Sequence, residues 1–513
     1  MKKDNSNNVW IGELDLKRDP EFMENASNEF KDTPLFEMLG EEGVLTNQKS
    51  SRRDFLKFLG FGVGAAVVAA GCEIPVKKAI PYVIRPEEIV PGLATYYASS
   101  FVRSGDYCSI LVKTRDGRPI KIEGNESSEV TFGGTSARAQ AEVLNLYNTN
   151  RNKSPLKKEG DAYKQISWKE LDDEVMKGLK NGGSIRLVSH TNMSPSSSKL
   201  HSEFAASFAD AKIVYYDPVS YAAVLRANEL TVGQRALPEY RFELADLIVS
   251  FNADFLGTWG SPIENAHRFM KNRKPDDPKN AKMSRLVQFE SHMSLTGSNA
   301  DNRILVKPSE QSSAAVALYN KVASLKGAGK IKALPLNEKA KKAIDKLGSD
   351  LVKAEGRSIV LSGNNFVGEQ IIINAINHLL GNFNKTIDFT HADLTRQGDE
   401  SGLAGLVKEM ETGKVSTIIF LDCNPVYDYA GRETFREALK KVKSRVSTAY
   451  SLDETANVCD LVAPNHHMME SWGDVQPKRG HYSLIQPVIS PLFDTRQAET
   501  SLLFWAGKAQ GVK

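Results

Sequence analysis

Cysteine and histidine spacing decides which metal chemistry this chain could carry. Its cysteines are Cys72, Cys108, Cys423 and Cys459, and no two are close enough to form a C-x-x-C pair. A cubane iron–sulfur cluster takes four thiolates, usually with two or three closely spaced. A cluster held by this chain alone is therefore not expected. His466 and His467 are adjacent, and on an extended chain their side chains diverge instead of closing on one ion. His190, His292 and His481 stand alone and read as structural or surface histidines. Ser194-Pro-Ser-Ser-Ser198 reads as a loop and a helix start, with no base placed to activate a serine. Gly133-Gly134 and Gly182-Gly183 mark turns, because a dinucleotide fingerprint needs three spaced glycines between a strand and a helix. Spacing alone assigns no catalytic residue and no metal ligand.

One pattern carries a specific address. Ser51-Arg52-Arg53-Asp-Phe-Leu-Lys57 precedes an apolar stretch from Phe58 to Ala70. Paired arginines ahead of a moderately hydrophobic run mark the twin-arginine route, which carries folded proteins across the bacterial inner membrane. Gly60, Gly62 and Gly64 would weaken a buried helix of a soluble core, which favours the signal. Folding before export is usually forced by a cofactor or a cofactor-bearing partner acquired in the cytoplasm. The run ends Ala69-Ala70-Gly71-Cys72, small residues before a cysteine as in lipoprotein processing, although Ala69 replaces the usual large aliphatic residue. Cys72 is thus a lipidation candidate, the alternative anchor being an uncleaved signal. The apolar run is short of the ~20 residues that comfortably span a bilayer. The preceding residues 1–50 are polar, with Trp10, Ile11, Phe30 and Phe36 thinly spread. They read as a disordered arm or as a segment that docks on a partner.

With 513 residues the chain has room for roughly two to four domains. A net charge of +3 and 25% charged residues are ordinary, so bulk electrostatics do not suggest nucleic-acid binding. The oxidising compartment would allow a disulfide among Cys108, Cys423 and Cys459, but these read mainly as small buried residues.

The elements that must position any site divide the chain. Residues 1–50 form the extension, 51–72 the signal, and 73–181 a β-containing cap. In the cap, Cys108–Lys113 and Pro119–Glu123 alternate as half-buried strands around the turn Arg115-Asp-Gly117-Arg118. Ser167 with Glu170 three residues later predicts a capped helix start at Trp168. Beyond Gly182, strands are expected at 185–189, 212–216, 247–251 and 286–289. A second set is expected at 358–362, 386–389, 417–421 and 446–449, with helices such as 199–208, 311–328, 368–380 and 432–441 between. Short β alternating with longer α predicts parallel sheets covered on both faces. Two α/β lobes, 182–340 and 341–513, are expected, with Lys326–Lys353 carrying the crossing between them. Leu-Ile-Val-Ser-Phe-Asn252-Ala-Asp254 and Ile-Ile-Phe-Leu-Asp422-Cys-Asn424-Pro425 are each a buried strand followed by a polar turn. Ligands of open α/β sheets sit at such strand ends, so a cleft between the lobes is expected there.

Taken in order, several stretches resemble the molybdopterin oxidoreductase family. Gly117-Arg-Pro-Ile-Lys-Ile-Glu-Gly-Asn125 is similar to its N-terminal hairpin. Leu146-Tyr147 through Arg151 and Pro155 resembles a loop, and Ile166-Ser-Trp168 a helix start. Asn424-Pro425 resembles a conserved turn, and Glu454-Thr-Ala456 through Asp460-Leu-Val-Ala-Pro464 to Glu470 and Gly473 resembles a late segment. The polar arm, the twin arginines, the Gly-Cys72 ending, Ile80-Pro81-Tyr82 and Ala253-Asp-Phe-Leu-Gly-Thr-Trp259 are similar to one subgroup, the large iron–sulfur subunit of alternative complex III.

This resemblance implies two Rossmann-like α/β lobes with parallel sheets plus a small N-terminal β cap. It also implies a non-catalytic subunit of a membrane-bound respiratory quinol:electron-acceptor oxidoreductase, at the periplasmic face of the bacterial inner membrane. The chain departs from that pattern where it reaches Lys513 without the cysteine-rich half, so [4Fe-4S] clusters are expected on a missing C-terminal half or on a separate polypeptide. The implied partners are a multihaem cytochrome, integral quinol-site subunits and a ferredoxin-like half. Members that hold a pterin commonly place a Ser, Cys or Asp side chain on its metal. Cys423, beside the Asn-Pro turn, is the residue retained as a candidate cofactor ligand, although molybdopterin itself is not expected. The alternative is a catalytic subunit of a periplasmic molybdopterin oxidoreductase.

Overall fold

A computed structural model describes residues 92–180, 182–274 and 283–508. Arg52, Arg53, Cys72 and the polar extension lie outside the described residues. Among the described residues no helix is long and apolar enough to cross a membrane.

The expected hairpin is the core of a three-stranded antiparallel cap, Ala94–Arg103, Asp106–Arg115 and Arg118–Gly124. Its second turn places both Asp116 (φ 50°) and Gly117 (φ 74°) in the left-handed region, the backbone twist that suits a two-residue hairpin. Gly124 ends the sheet at a close crossing, where a Cβ would lie 1.8 Å from the Gly133 carbonyl oxygen. Helix Ala137–Leu146 starts at Ser136, whose hydroxyl accepts from the Ala139 N–H at 3.1 Å. The helix buries Ala139 and Leu146 against Phe101, Cys108, Ile110 and Ile122.

Two parallel sheets follow, as expected, and both carry helices. The larger has seven strands in the order Ala162–Gln165, Leu156–Glu159, Leu461–Val462, Ser444–Ser447, Val415–Leu421, Ser184–Ser189 and Ala211–Tyr215. The last five are parallel and the first two form an antiparallel edge hairpin. The smaller sheet is all parallel, Asn302–Leu305, Arg285–Glu290, Leu247–Phe251 and Ser358–Ser362. Central strands are buried on both faces. Ile418 and Phe420 pack against Phe435 and Leu439, while Ile419 and Leu421 pack toward Leu171, Leu187 and Trp505. Each such fully buried side chain contributes about 1.5–3 kcal/mol.

Three expectations need correction. The chain does not divide near Ala340. Strand Ser184–Ser189 pairs with Val415–Leu421 on one side and with Ala211–Tyr215 on the other, while Ser358–Ser362 joins the smaller sheet. The smaller lobe is therefore an excursion from the larger one, and Lys326–Lys353 carries no crossing. Instead, helix Glu338–Lys353 packs its Ile344, Leu347 and Leu351 inside the smaller lobe. The cap is also shorter than residues 73–181, because Leu156–Gln165 and helix Trp168–Lys180 belong to the larger lobe. Ser167 does start that helix, accepting from the Glu170 N–H at 3.2 Å. Finally, the expected strand 386–389 is Ile387–Asp393 and lies in neither parallel sheet. It joins Leu237–Tyr240, Gly473–Lys478 and His481–Ile485 in a third, antiparallel sheet.

Candidate functional site

Strand order fixes where a ligand could enter. In the larger sheet the chain runs one way from Ser184–Ser189 to Ala211–Tyr215 and the other way from Val415–Leu421 to Ser444–Ser447. The crevice at the carboxyl ends of Ser184–Ser189 and Val415–Leu421 is thus a topological switch point. A cavity of about 1180 Å³ opens there, lined by Ser189–Ser194, Leu421–Asn424, Thr448–Ser451 and Asp453, and closed over by Arg103 and Leu484–Ile485. No lining residue comes from the smaller lobe. The cavity is therefore walled by the larger lobe, the cap and the third, antiparallel sheet, not by two α/β lobes as expected.

The two paired strand–turn sequences do share geometry. Asn252 (φ 55°) and Asp422 (φ 47°) both adopt the left-handed conformation directly after their strands. Asn and Asp tolerate it better than other side chains. Their surroundings differ. At the smaller sheet, Gly363 packs on the Asn252 backbone so closely that a Cβ would lie 2.5 Å from the Asn252 carbonyl oxygen. Beside it, buried Glu369 accepts from Ser362 (2.6 Å), Ser312 (2.6 Å) and Asn364 (2.8 Å). At the larger sheet, Asp422 lines the open cavity. Its N–H donates to Thr448 Oγ1 at 3.0 Å. Pro425 then starts a short helix, and Asn424 accepts from the Thr455 N–H and hydroxyl and donates to Glu454.

The cavity's electrostatics are dominated by carboxyls. Enclosure by protein pushes Asp422 above the usual carboxylate range despite the opposing pull of Arg103 and His190. The Asp422 carboxylate has no hydrogen-bond donor among the described residues. Asp453 is pushed up to about 6, chiefly by burial and further by the charges of Asp422 and Glu454. Burial also raises Asp428, against the opposing pull of His190, whose Nε2 lies 3.6 Å away, and a hydrogen bond donated by the Tyr216 hydroxyl at 2.9 Å. Burial alone would lower Arg103, but Asp422, Tyr450 and Glu142 together hold it above its ordinary value. Arg103 donates to Tyr450 and, at 3.2 Å, to Glu142. Glu142 is in turn held low because His467 and Arg103 outweigh the effect of burial.

Helix N-termini face this space, the longest of these helices beginning at Pro195. Helix Pro195–Ala206 follows the strand Ser184–Ser189 and is capped by Ser194. In dinucleotide sites such an N-terminus receives phosphate. Here the carboxylate of Asp474 occupies it, accepting from the Ser194 hydroxyl, from Ser196 Oγ at 2.6 Å and from the Ser196 N–H at 3.3 Å. Glu499 accepts from Ser197 Oγ at 2.8 Å in the same turn.

Cys423 belongs to the cavity wall through its position, but its thiol does not serve it. The side chain is buried in the core with Val188, Phe420 and Phe435, and Sγ donates to the Val188 carbonyl at 3.2 Å. Burial holds the thiol well above its ordinary value. Cys108 and Cys459 are likewise buried and free, in agreement with the sequence reading of small core residues. The residues that do shape the cavity, Arg103, Asp422, Asp428, Tyr450, Asp453 and Asp474, carry no spacing signal. Of these, Asp422 alone lies in a turn that the sequence reading singled out, directly after the strand expected at 417–421.

The chain matches the family model of molybdopterin oxidoreductases over residues 151–498. It is 27% identical to the menaquinone reductase molybdopterin-binding-like subunit of Nitratidesulfovibrio vulgaris, over 89% of this chain and 72% of that protein. A shorter stretch, 14% of this chain and 11% of that protein, is 30% identical to the probable oxidoreductase YoaE of Bacillus subtilis. Among solved structures, acetylene hydratase from Pelobacter acetylenicus is similar in fold. Its TM-score is 0.62 at 12% identity, covering 80% of this chain and 69% of that one.

Proposed function

Because the chain belongs to the molybdopterin oxidoreductase family, we propose that it works as a subunit of a respiratory quinone oxidoreductase, of the alternative complex III type, without carrying the pterin itself. Its role there is to scaffold a ferredoxin-like, [4Fe-4S]-bearing half beside a multihaem cytochrome and integral quinol-site subunits. It is held at the periplasmic face of the inner membrane after twin-arginine export, anchored through Cys72 or the signal. The name of the Nitratidesulfovibrio vulgaris relative supports the respiratory setting.

The observation that carries the non-catalytic reading is Asp474 at the N-terminus of helix Pro195–Ala206. A pterin dinucleotide brings phosphates, and these favour helix N-termini and basic side chains. Among the described residues the cavity instead presents Asp422, Asp428, Asp453, Asp474, Glu203 and Glu499, against Arg103 and Lys199 as its only arginine and lysine. Its one nearby thiol is committed to the core. The residues present do not suit the group, and no reaction step is assigned to it.

Metal analysis of the purified chain tests this. No stoichiometric molybdenum or tungsten is expected, together with co-purification of a multihaem cytochrome and integral membrane subunits. One molybdenum or tungsten per chain would overturn the scaffold reading in favour of a catalytic subunit. Changing Arg52 and Arg53 together to lysine is expected to trap the protein in the cytoplasm. Unchanged export of that variant, followed by cell fractionation, defeats the proposed route.

A further inference from the structure

His391 and His481 are 90 residues apart in sequence, yet the antiparallel sheet makes them neighbours. His391 lies on strand Ile387–Asp393, and His481 opens strand His481–Ile485 directly after the turn at Gly480 (φ 87°). The intervening strand Gly473–Lys478 pairs with both, and Arg479 N–H donates to the Ala392 carbonyl at 2.9 Å. The two imidazole rings end with centroids 6.0 Å apart and planes at 57°.

Each ring has a carboxylate behind it. His391 Nδ1 lies 3.3 Å from Asp388, and His481 Nδ1 lies 3.9 Å from Glu129. Neither Nε2 has a protein partner among the described residues. At His391 this matches metal-bound histidines, in which an outer carboxylate fixes the tautomer and leaves the other nitrogen for the ion; Glu129 lies too far from His481 for a hydrogen bond and is largely exposed. A divalent ion about 2 Å from each Nε2 would set ring centres roughly 5–6 Å apart, depending on the angle at the metal. The observed spacing is at the upper end of that range. Both rings reach solvent, with side-chain exposures of 44% and 29%, so an ion has an entry path.

The carboxylates themselves are poor first ligands. Glu239, Asp388 and His391 do offer ligand atoms within 4.8 Å of one another. However, Arg241 already donates to both Glu239 and Asp388, and a second cation between those oxygens would meet the guanidinium. Arg479, the cation on the turn itself, is engaged by the Phe389 carbonyl at 3.2 Å and Gln234 at 3.3 Å.

We propose that His391 and His481 form a two-imidazole site for a borderline divalent transition metal of the Zn²⁺ or Cu²⁺ class. Asp388 orients the His391 ring, and the remaining coordination positions stay open to water. Imidazole donors select this class over Mg²⁺ and Ca²⁺, which take oxygen ligands. The site is separate from the cavity at the switch point and independent of the pterin question.

The test uses the full chain with Cu²⁺, read by isothermal titration and by electron paramagnetic resonance. One equivalent is expected to bind with nitrogen hyperfine structure from two imidazoles. His391→Ala and His481→Ala should each remove one nitrogen and weaken binding at least tenfold. His292→Ala, elsewhere on the surface, should change nothing. All these side chains are solvent-exposed to a degree that leaves folding intact, which circular dichroism checks. Equal Cu²⁺ affinity in the His391→Ala/His481→Ala double variant, or a nitrogen pattern unmoved by either single change, overturns the proposal.

Discussion

Replacing Glu470 by alanine should cost about 3–5 kcal/mol of folding free energy, the usual loss when one partner of a buried ion pair is removed. Arg151 and Glu470 have no exposed side-chain surface and meet through two parallel hydrogen bonds of 3.1 and 2.7 Å. The carboxylate also accepts from the His467 N–H at 2.9 Å and the Leu492 N–H at 3.0 Å. Arg151 donates to the Leu146 carbonyl at 3.0 Å, with its guanidinium 5.1 Å from the centre of the Phe493 ring. Alanine at 470 therefore strands a buried cation and two backbone donors at once. Arg151→Met combined with Glu470→Gln removes both charges and keeps one acceptor, so it should destabilise less than Glu470→Ala alone. The pH dependence has a definite sign. Burial works to raise Glu470, but Arg151 and the two N–H donors outweigh it and hold the group below the usual range. A carboxyl with a depressed folded value stabilises fully above its unfolded pKa of about 4.3 and loses that contribution as pH falls through the folded value. The gap between wild type and Glu470→Ala should thus be widest near neutrality and shrink in acid. Urea unfolding at several pH values measures it. A Glu470→Ala variant as stable as wild type at pH 7, or a double variant worse than the single one, would refute this account.

That pair also shows what the sequence made legible. Arg151 and Glu470 both stood out as motif residues, 319 positions apart, and the fold brings them together. They make a clasp joining the loop after helix Ala137–Leu146 to the segment before strand Gly473–Lys478, not a reactive site. Local features were readable because their causes are local. Strands Leu247–Phe251 and Ser358–Ser362 fall where their apolar runs lie, the Asp116-Gly117 turn follows from its two residues, and Ser167 caps its helix. Sheet membership was not readable. Ser184–Ser189, Val415–Leu421 and Ser358–Ser362 are all short runs buried on both faces, and such a run carries no mark of its partner. The cavity was placed at the right strand end, after Val415–Leu421, but its other walls escaped for the same reason. Asp474 reaches Ser194 across 280 positions, and Arg103 reaches Tyr450 across 347. Cys423 drew notice for its element type and its neighbours, but the side chain's direction depends on which face of the strand end is core, and that is set by strands elsewhere in the chain.

The other large effect is expected at Lys478, which is 3% exposed and whose ammonium donates to Glu239 and Glu264 at 2.6 Å each. Lys478→Met should destabilise the protein by roughly 3–5 kcal/mol, because two buried carboxylates then share the remaining cations. Those are Arg268, bonded to Glu239 (2.6 Å), Glu264 (2.7 Å) and Glu243 (2.6 Å), and Arg241, bonded to Glu239 (3.1 Å) and Asp388. The network stitches strand Gly473–Lys478 to Leu237–Tyr240 and helix Pro262–Lys271, and so ties the late segment of the chain to the excursion that forms the smaller lobe. Methionine matches the lysine stem in length, so the loss is one of charge and not of packing. Removing one surplus carboxylate with Glu264→Gln in the Lys478→Met background should recover stability, whereas Glu264→Gln alone should lower it. Burial works to raise Glu239, yet Lys478, Arg268 and Arg241 together hold it low. Its contribution is accordingly present above the unfolded value of about 4.3 and fades as pH drops through the folded one. The deficit of Lys478→Met should therefore be greatest at pH 7 and narrow below about pH 4. Comparing urea unfolding of the four proteins at pH 7 and at acid pH decides the matter. Additive losses from Lys478→Met and Glu264→Gln, with no rescue in the double variant, would mean that the two side chains act independently and that the lysine does not balance the Glu264 charge.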